Sequence, residues 1–498
     1  MKNLIDSLQY IKPELAISVV IVLVVLVDLI LAKNKKLLPY IAAAGLVITA
    51  IYIIEQFGIN SFGFPYFGNQ GLIIADPFGA FFKSVVVLAS LLIVYFSITS
   101  SEIKAAFDRH GEYYSLIFGM ILGMFFMISA VDLIVIYLSI ELVSLSSYIL
   151  SGFSKQSLRN SEASLKYVIY GGISSGIMLF GISIIYGLTG TTNLYGINEF
   201  IQNADTGSLI FLLAGIFVFA GVGFKISAAP FHFWTPDVYE GAPIPITAYL
   251  SIASKAAGFA LLIRFIKITF IETIDASGYW QLVKLIDWKS FIILLSILTM
   301  TLGNFAALWQ NNMKRLLAYS SIAHAGYLLL GLTVLSEQGL TAILIYFAIY
   351  AFMNLGAFFV VMLIANKIES EELDDYKGLG YSMPFLGVSL AIFLVSLTGI
   401  PPTAGFIAKL YIFIALVDAN MITVAVIALL NTVVSLYYYI RVLKCLYLDK
   451  PEKELPTISL SLPNLVILLI LLIPILLFGI YFTPLVNLAK SSIAMIGF

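Results

Sequence analysis

Charge is what this sequence has least of. Only 11% of its 498 residues are Asp, Glu, Lys or Arg, against about 25% in an ordinary soluble domain. A soluble chain of this length would need polar side chains to cover its surface. They are missing, so the surface has to face lipid. A net charge of −1 leaves no basic field for nucleic acid. One cysteine, Cys445, excludes an internal disulfide, a thiolate-held iron–sulfur cluster and a structural zinc site. No GxGxxG or P-loop string occurs, which removes a dinucleotide fingerprint and a Walker-type ATP motor.

What fills the chain is apolar: 61% of residues are hydrophobic and the mean hydropathy is +1.02. The runs are long and continuous rather than short and alternating, so the chain is helical and not an outer-membrane barrel. At about 20 residues per crossing, breaks at charged and Gly/Pro/Asn-rich points divide it into fourteen spans. They lie near 13–32, 37–57, 76–98, 112–130, 132–152, 160–188, 207–229, 244–267, 289–309, 315–335, 339–365, 384–416, 420–445 and 462–483. The expected fold is therefore an all-α, polytopic membrane protein. The first span is too long for a signal-peptide core, and Lys33, Lys35 and Lys36 stand where a cleavage site would be, so it is read as a helix. With the N-terminus outside, inside loops hold fourteen Lys and Arg residues and outside loops and ends hold six. That asymmetry puts both termini outside.

The remaining seven basic residues fall within spans, where a charge costs roughly 2.5–3.5 kcal/mol. Lys83, Arg264 and Arg441 lie near span ends, and snorkelling accounts for them. Glu141, Lys225, Lys255 and Lys409 are deeper or beside breaks, where a transport role competes with a buried structural ion pair. Two spans look interrupted, at FKISAAPFHFWTPDVYEGAPIP (224–245) and SLTGIPPTAGFIAK (396–409). Proline removes a backbone donor and clashes with the preceding turn. Interrupted helices in corresponding halves point to a transport site; a simple proline kink is the bland alternative. The halves do correspond. The chain reads as three N-terminal spans (1–111), a five-span block (112–267), a second five-span block (289–445) and a C-terminal span (446–498), with each break in the fourth span of its block. An odd count per block makes the two repeats inverted.

Smaller signals are more ambiguous. Glu162 and Lys166 are four apart with Glu first, a favourable helical pair. His232 and His324 suit a polar relay, since imidazole passes a proton between its two ring nitrogens; haem ligation by the pair has no other support. The stretch NKIESEELDDYKG (366–378) reads as a solvated loop.

Together PFHFWTPDVYEGAP, SEASLKY, NMKRLLAYSSIAHAGY and GIPPTAGFIAK resemble the antiporter-like membrane subunits of respiratory complex I. HGEYYSL, VDLIVIYLSIEL and the fourteen spans look most like the subunit N branch, counterpart of mitochondrial and plastid subunit 2. The resemblance covers nearly the whole chain. It implies a proton-translocating membrane subunit of an NADH:quinone oxidoreductase in the bacterial inner membrane, with the polar axis carried by Glu141, Lys166, Lys225, Lys255 and Lys409. Lysine at the last position separates it from subunit M, which carries glutamate there, and the absence of a lateral C-terminal helix separates it from subunit L. His232 and His324 would bridge through water. No cofactor is expected in this chain: FMN, iron–sulfur clusters, NADH and quinone belong to other subunits. Antiporter-like M and L, the small K and J subunits and membrane lipid are the expected partners. If Glu141 pairs with Lys225 at about 7 Å and an effective dielectric of 20, the pair is worth roughly 2.4 kcal/mol. A rival reading is an Mrp-type sodium/proton antiporter subunit built on the same lysines. A third is a structural spacer.

Overall fold

Inside hydrocarbon every backbone N–H and C=O has to be satisfied by the chain itself, so long apolar runs become helices. The structure, a computed structural model, describes residues 2–30, 35–68, 70–154, 158–203, 208–283, 287–451 and 460–495. Lys33, Lys155, Lys284 and Lys453, used above to weigh loop charge, lie outside the described residues. Thirteen described helices are long and apolar enough to cross a membrane. Three come first: α1 (Lys12–Ile30), α2 (Leu38–Gln56) and α3 (Pro77–Thr99). Between α2 and α3 stands a hairpin not anticipated from sequence, β1 (Ser61–Phe67) and β2 (Gln70–Ala75).

The first repeat follows: α4 (His110–Ser129), α5 (Leu133–Ser151), α6 (Leu158–Thr189), α7 (Ser208–Ile226) with its short continuation α8 (Trp234–Gly241), and α9 (Ile244–Phe270). A second hairpin, β3 (Ile271–Ile274) and β4 (Trp280–Leu282), leads out of it. The second repeat is α10 (Trp288–Ala307), α11 (Met313–Thr333), α12 (Glu337–Ile368), the half-helices α13 (Pro384–Thr398) and α14 (Ala404–Asp418), and α15 (Ile422–Tyr447). α16 (Leu462–Ile480) ends the bundle. The span expected at 384–416 is thus two helices of 15 residues each, and with it the spans number fourteen. The fold is all-α and polytopic, with two inverted five-span repeats each carrying a broken helix. The breaks are not equivalent. The first follows a full 19-residue helix and precedes an 8-residue one, whereas the second divides its span evenly.

α9 is buried along its whole length and α11 nearly so, while α1, α15 and α16 turn most of their surface outward. Polar groups gather where lipid is excluded. Two basic residues expected to snorkel are instead wholly buried. Arg264 of α9 makes a two-pronged bond to Asp76, Nη1 to Oδ2 at 2.8 Å and Nη2 to Oδ1 at 2.5 Å. Its Nε donates to the Ile128 carbonyl at 2.6 Å. Lys83 of α3 pairs with Glu14 of α1 at 2.6 Å. The counter-ions lie 188 and 69 positions away in the chain, which no local window reveals. Arg441 is half-buried, with Nη1 donating to the Leu308 carbonyl at 2.8 Å and Nη2 to the Gln310 carbonyl. The acidic stretch after α12 is not simply solvated: Glu371 holds Lys314 of α11 at 2.7 Å.

Removing one partner of a buried ion pair costs about 3–5 kcal/mol, because the other charge is left uncompensated. Asp76→Ala is expected to lower the melting temperature of the detergent-solubilised protein and its accumulation in membranes. The apolar double variant Asp76→Leu with Arg264→Met is expected to recover part of that loss. Wild-type melting of Asp76→Ala would show that the pair does not hold α3 to α9.

Candidate functional site

Lys255 lies one residue beyond a π-helical turn, Leu250–Ser254, that interrupts α9. Such a turn widens the helix locally and is frequent at functional positions. The ammonium is completely buried and donates to the Ser321 carbonyl at 2.8 Å and the Ser321 hydroxyl at 2.6 Å. On the same turn, Ser251 accepts from Asn354 of α12 at 2.6 Å. The hydroxyls of Tyr239 and Tyr350 face Ser321 without completing a hydrogen bond.

Ser321 leads along α11 to His324 and Tyr327, spaced i, i+3, i+6 and so on one face of the helix. His324 Nδ1 is 2.6 Å from the Tyr346 hydroxyl, and Nε2 is 3.5 Å from the Tyr439 hydroxyl. The imidazole stacks on Tyr350 at 4.9 Å. Along α11 the ring stands between Ser321, which holds Lys255, and Tyr327, beside Lys409. Lys409 Nζ sits 4.5 Å from the centre of the Tyr327 ring.

The second break sets the position of Lys409. Gly399, at φ +88°, ends α13 in the left-handed region that favours glycine. A Cβ on Gly405 would fall 1.8 Å from the Ser396 carbonyl oxygen, so only glycine lets α14 start that close to α13. One turn on, Lys409 Nζ donates to the Thr398 carbonyl at 2.8 Å, the unpaired C-terminal end of α13. The break is therefore an irregular polar turn, and Lys409 points into it and not into lipid.

At the first break the freed groups are taken by side chains. Trp234 Nε1 donates to the Phe224 carbonyl at 2.9 Å, and the Ala229 amide donates to Thr299 of α10 at 2.9 Å. Lys225, just before it, is buried with its Nζ unpartnered and ringed at 5.8–6.0 Å by Tyr148, Tyr167 and Phe224. Glu141 of α5 is the charged group that acts on it. The Glu141 Oε1 atom is buried and likewise unpartnered, so the two face each other without a direct ion pair. Gly258, three residues beyond Lys255, is where α9 meets α7: a Cβ there would be 3.5 Å from that of Lys225. Tyr167, Tyr239 and Tyr350 all carry buried hydroxyls without a partner. Polar and aromatic groups thus run from Lys225 to Tyr167 on one side, and on the other from Lys255 along Ser321, His324 and Tyr327 to Lys409.

Two residues singled out in the sequence are not brought to this line. Lys166 is bound by Glu162 and Asp237, both at 2.7 Å, in a network that continues to Arg315 and Glu240. His232 stacks on Phe233 at 4.5 Å with Nδ1 unpartnered; no described contact joins it to Lys225 or Lys255. Sequence reasoning missed Ser321, Tyr327 and Tyr239, although the i, i+3, i+6 polar spacing in α11 was there to be read. It also missed Glu102, in the short helix Ser101–Ala105, whose Oε2 accepts the Ile244 amide at 3.1 Å and so caps α9. Burial pushes this carboxyl above the usual carboxylate range, opposed by the Lys314 ammonium. Glu102, Arg159, Glu240, Lys314 and Glu371 line a charged cleft of about 750 Å³.

The family model described as NADH:quinone oxidoreductase/Mrp antiporter, TM, matches residues 130–435, a stretch that contains the whole line from Glu141 to Lys409. The chain is 48% identical over 490 residues to NADH-quinone oxidoreductase subunit N 2 of Chloroherpeton thalassium, covering 97% of this chain and 94% of that protein. Among solved structures it is similar to a chain of respiratory complex I from Thermus thermophilus with bound aureothin, with a TM-score of 0.78, 28% identity, and 96% and 100% of the two chains covered. It superposes equally well on a chain of the Mrp complex from Dietzia sp. DQ12-45-1b, with a TM-score of 0.82 and 97% of each chain covered. At 21% identity that likeness shows the fold alone. Sequence and fold agree that the chain belongs to the NADH:quinone oxidoreductase/Mrp antiporter transmembrane family, in the branch named NADH-quinone oxidoreductase subunit N.

Proposed function

We propose that this chain carries protons across the bacterial inner membrane as a subunit of an NADH:quinone oxidoreductase, along Glu141, Lys225, Lys255, His324 and Lys409. One contrast supports the reading. Arg264 and Lys83 are each clamped by a carboxylate, at 2.5 Å and 2.6 Å, so that each charge is compensated by the other. Lys255 and Lys409 are held by neutral carbonyl and hydroxyl oxygens, and Lys225 by none. Desolvation disfavours the ammonium form of such a lysine, and a neutral cradle tolerates both protonation states. That is what a carrier requires and a structural ion does not.

Glu141 and Lys225 form the switchable pair. Moving or neutralising one partner changes whether the other holds its proton. From Lys225 the proton passes by way of Tyr167, Tyr239, Ser321 and bridging water to Lys255. Buried polar atoms without protein partners are ordinary sites for such water. His324 then takes it at one ring nitrogen and releases it from the other toward Tyr327 and Lys409. The cleft beside Glu102 and Lys314 gives protons their access from the inner face, and both termini lie outside. Lys166 positions α6 against α8 and does not carry. Electron transfer from NADH to quinone takes place in other subunits, which hold FMN and the iron–sulfur clusters; the antiporter-like M and L and the small K and J subunits are its neighbours. An Mrp-type sodium/proton antiporter subunit would share the fold, but the 48% identity over nearly the full length favours subunit N.

Three outcomes test this in proteoliposomes of the purified complex. Lys255→Ala is expected to assemble and to lose most NADH-driven acidification, because no other titratable side chain occupies the centre of α9; full pumping would remove it as a carrier and favour the spacer reading. Glu141→Gln is expected to slow both quinone reduction and pumping, while Glu141→Asp stays closer to wild type. The Gln variant removes the one charge that acts on Lys225. Equal defects in the two variants would show that side-chain length matters and charge does not. Gly405→Ala forces α13 and α14 apart, and with them Lys409 and the Thr398 carbonyl. Pumping is expected to fall while the detergent-solubilised complex still oxidises NADH, and unchanged pumping would mean that the close approach plays no part.

A further inference from the structure

The two N-terminal helices lie outside both repeats and away from the relay. α1 and α2 approach most closely where a Cβ on Gly45 would stand 2.4 Å from Val20 Cγ2. Beside that contact a groove of about 480 Å³ opens on the outward surface, walled by Leu15 and Val19 of α1 and by Ile48 and Tyr52 of α2. Its depth comes from Ala16 and Ala44, whose side chains are too short to fill it. From Lys12 to Leu23, both of which line it, the groove runs about 16 Å at the helical rise. Its one charged end is Lys12, whose Nζ is 2.9 Å from Glu55 Oε2 and 5.8 Å from the centre of the Tyr52 ring. Both charged side chains stay nearly half exposed, at 43% and 46%.

We propose that this groove binds one acyl chain of a zwitterionic, amine-bearing phospholipid, with the lipid phosphate on Lys12 and its ammonium on Glu55. A neighbouring helix is about 10–12 Å across with its side chains and does not enter a slot whose walls meet at a glycine; an acyl chain does. The headgroup follows from charge complementarity. Anionic lipids are recognised by clusters of Lys and Arg, but this mouth carries one positive and one negative group, so an anionic lipid such as phosphatidylglycerol places its phosphate on Lys12 and brings no cation for Glu55. A headgroup carrying both signs satisfies each. The ammonium retains donors beyond its bond to Glu55 and the carboxylate retains lone pairs beyond its bond to Lys12, so the ion pair need not break.

The test uses the assembled complex, loaded with phosphatidylethanolamine that bears a photoreactive diazirine in its acyl chain. Irradiation is expected to label residues within 15–23 and 41–52. Unlabelled phosphatidylethanolamine should compete about fivefold better than phosphatidylglycerol, the effect of one charged headgroup contact. Ala44→Phe fills the groove and is expected to abolish labelling of these segments with NADH-driven pumping intact. Lys12→Gln with Glu55→Gln is expected to remove the headgroup preference. Equal competition by phosphatidylglycerol would overturn the headgroup assignment, and this needs no variant. Labelling that survives Ala44→Phe would mean bulk lipid only. A photo-crosslinker placed at Ala44 that captures another subunit in place of lipid would show that a protein partner covers the groove.

Discussion

A lysine ammonium surrounded by hydrocarbon has to be held by groups that the protein itself supplies, at a cost of roughly 2.5–3.5 kcal/mol on insertion scales. Lys255 is the extreme case. It is completely buried on a helix that is buried from end to end, and its partners come from α11 and not from its own turn. The surrounding helices are arranged accordingly. α11 presents Ser321, His324 and Tyr327 on one face, α12 presents Tyr346, Tyr350 and Asn354, and the short α8 presents Tyr239. The lipid-facing helices α1, α15 and α16 carry the apolar surface that keeps this interior dry of lipid.

The molecule holds buried charge in two ways, and the difference is chemical. Arg264 with Asp76 clamps the first repeat to the start of α3, and Lys83 with Glu14 clamps α3 to α1 within the N-terminal helices. In such pairs each charge fixes the other, and separation leaves one uncompensated. Lys225, Lys255 and Lys409 meet aromatic faces, hydroxyls and carbonyl ends instead, with no carboxylate in contact among the described residues. Glu141 is the carboxylate that acts on the first of them, from a distance beyond ion-pair contact.

The helix breaks provide much of that cradle. An intact helix engages its carbonyls internally, so an ammonium there shares an acceptor already in use, as Lys255 does at Ser321 of α11; a helix end leaves carbonyls free. Ending α13 at Gly399 frees the Thr398 carbonyl for Lys409, and ending α7 after Ile226 places Trp234, Ser227 and Thr235 around the first gap. The π turn before Lys255 carries Ser251, which accepts from Asn354 of α12. The two breaks differ: Lys225 precedes one and Lys409 follows the other, and the first repeat keeps a full 19-residue helix before its gap whereas the second span is divided into two helices of 15 residues each.

The sequence alone determined the membrane setting, the helical class, the number of spans and the places where two of them break, because these depend on composition, run length and the local chemistry of proline and glycine. It also singled out Glu141, Lys225, Lys255, His324 and Lys409, since a charged or imidazole group inside an apolar run is visible without a fold. It did not determine what each buried charge faces. Lys83 and Arg264 read as snorkelling side chains because their counter-ions, Glu14 and Asp76, lie on distant spans. The acidic loop after α12 read as solvated because Lys314 is 57 positions away in the chain. Lys166 and His232 carried the same signal as the other candidates, yet one is tied into the Glu162–Asp237 network and the other stands apart in the first break. The two hairpins were invisible because short strands between membrane spans share the composition of loops. Those assignments belonged to the tertiary structure: whether a buried charge is clamped or left free to change its proton depends on the polarity of its nearest few ångströms, and those neighbours come from elsewhere in the chain.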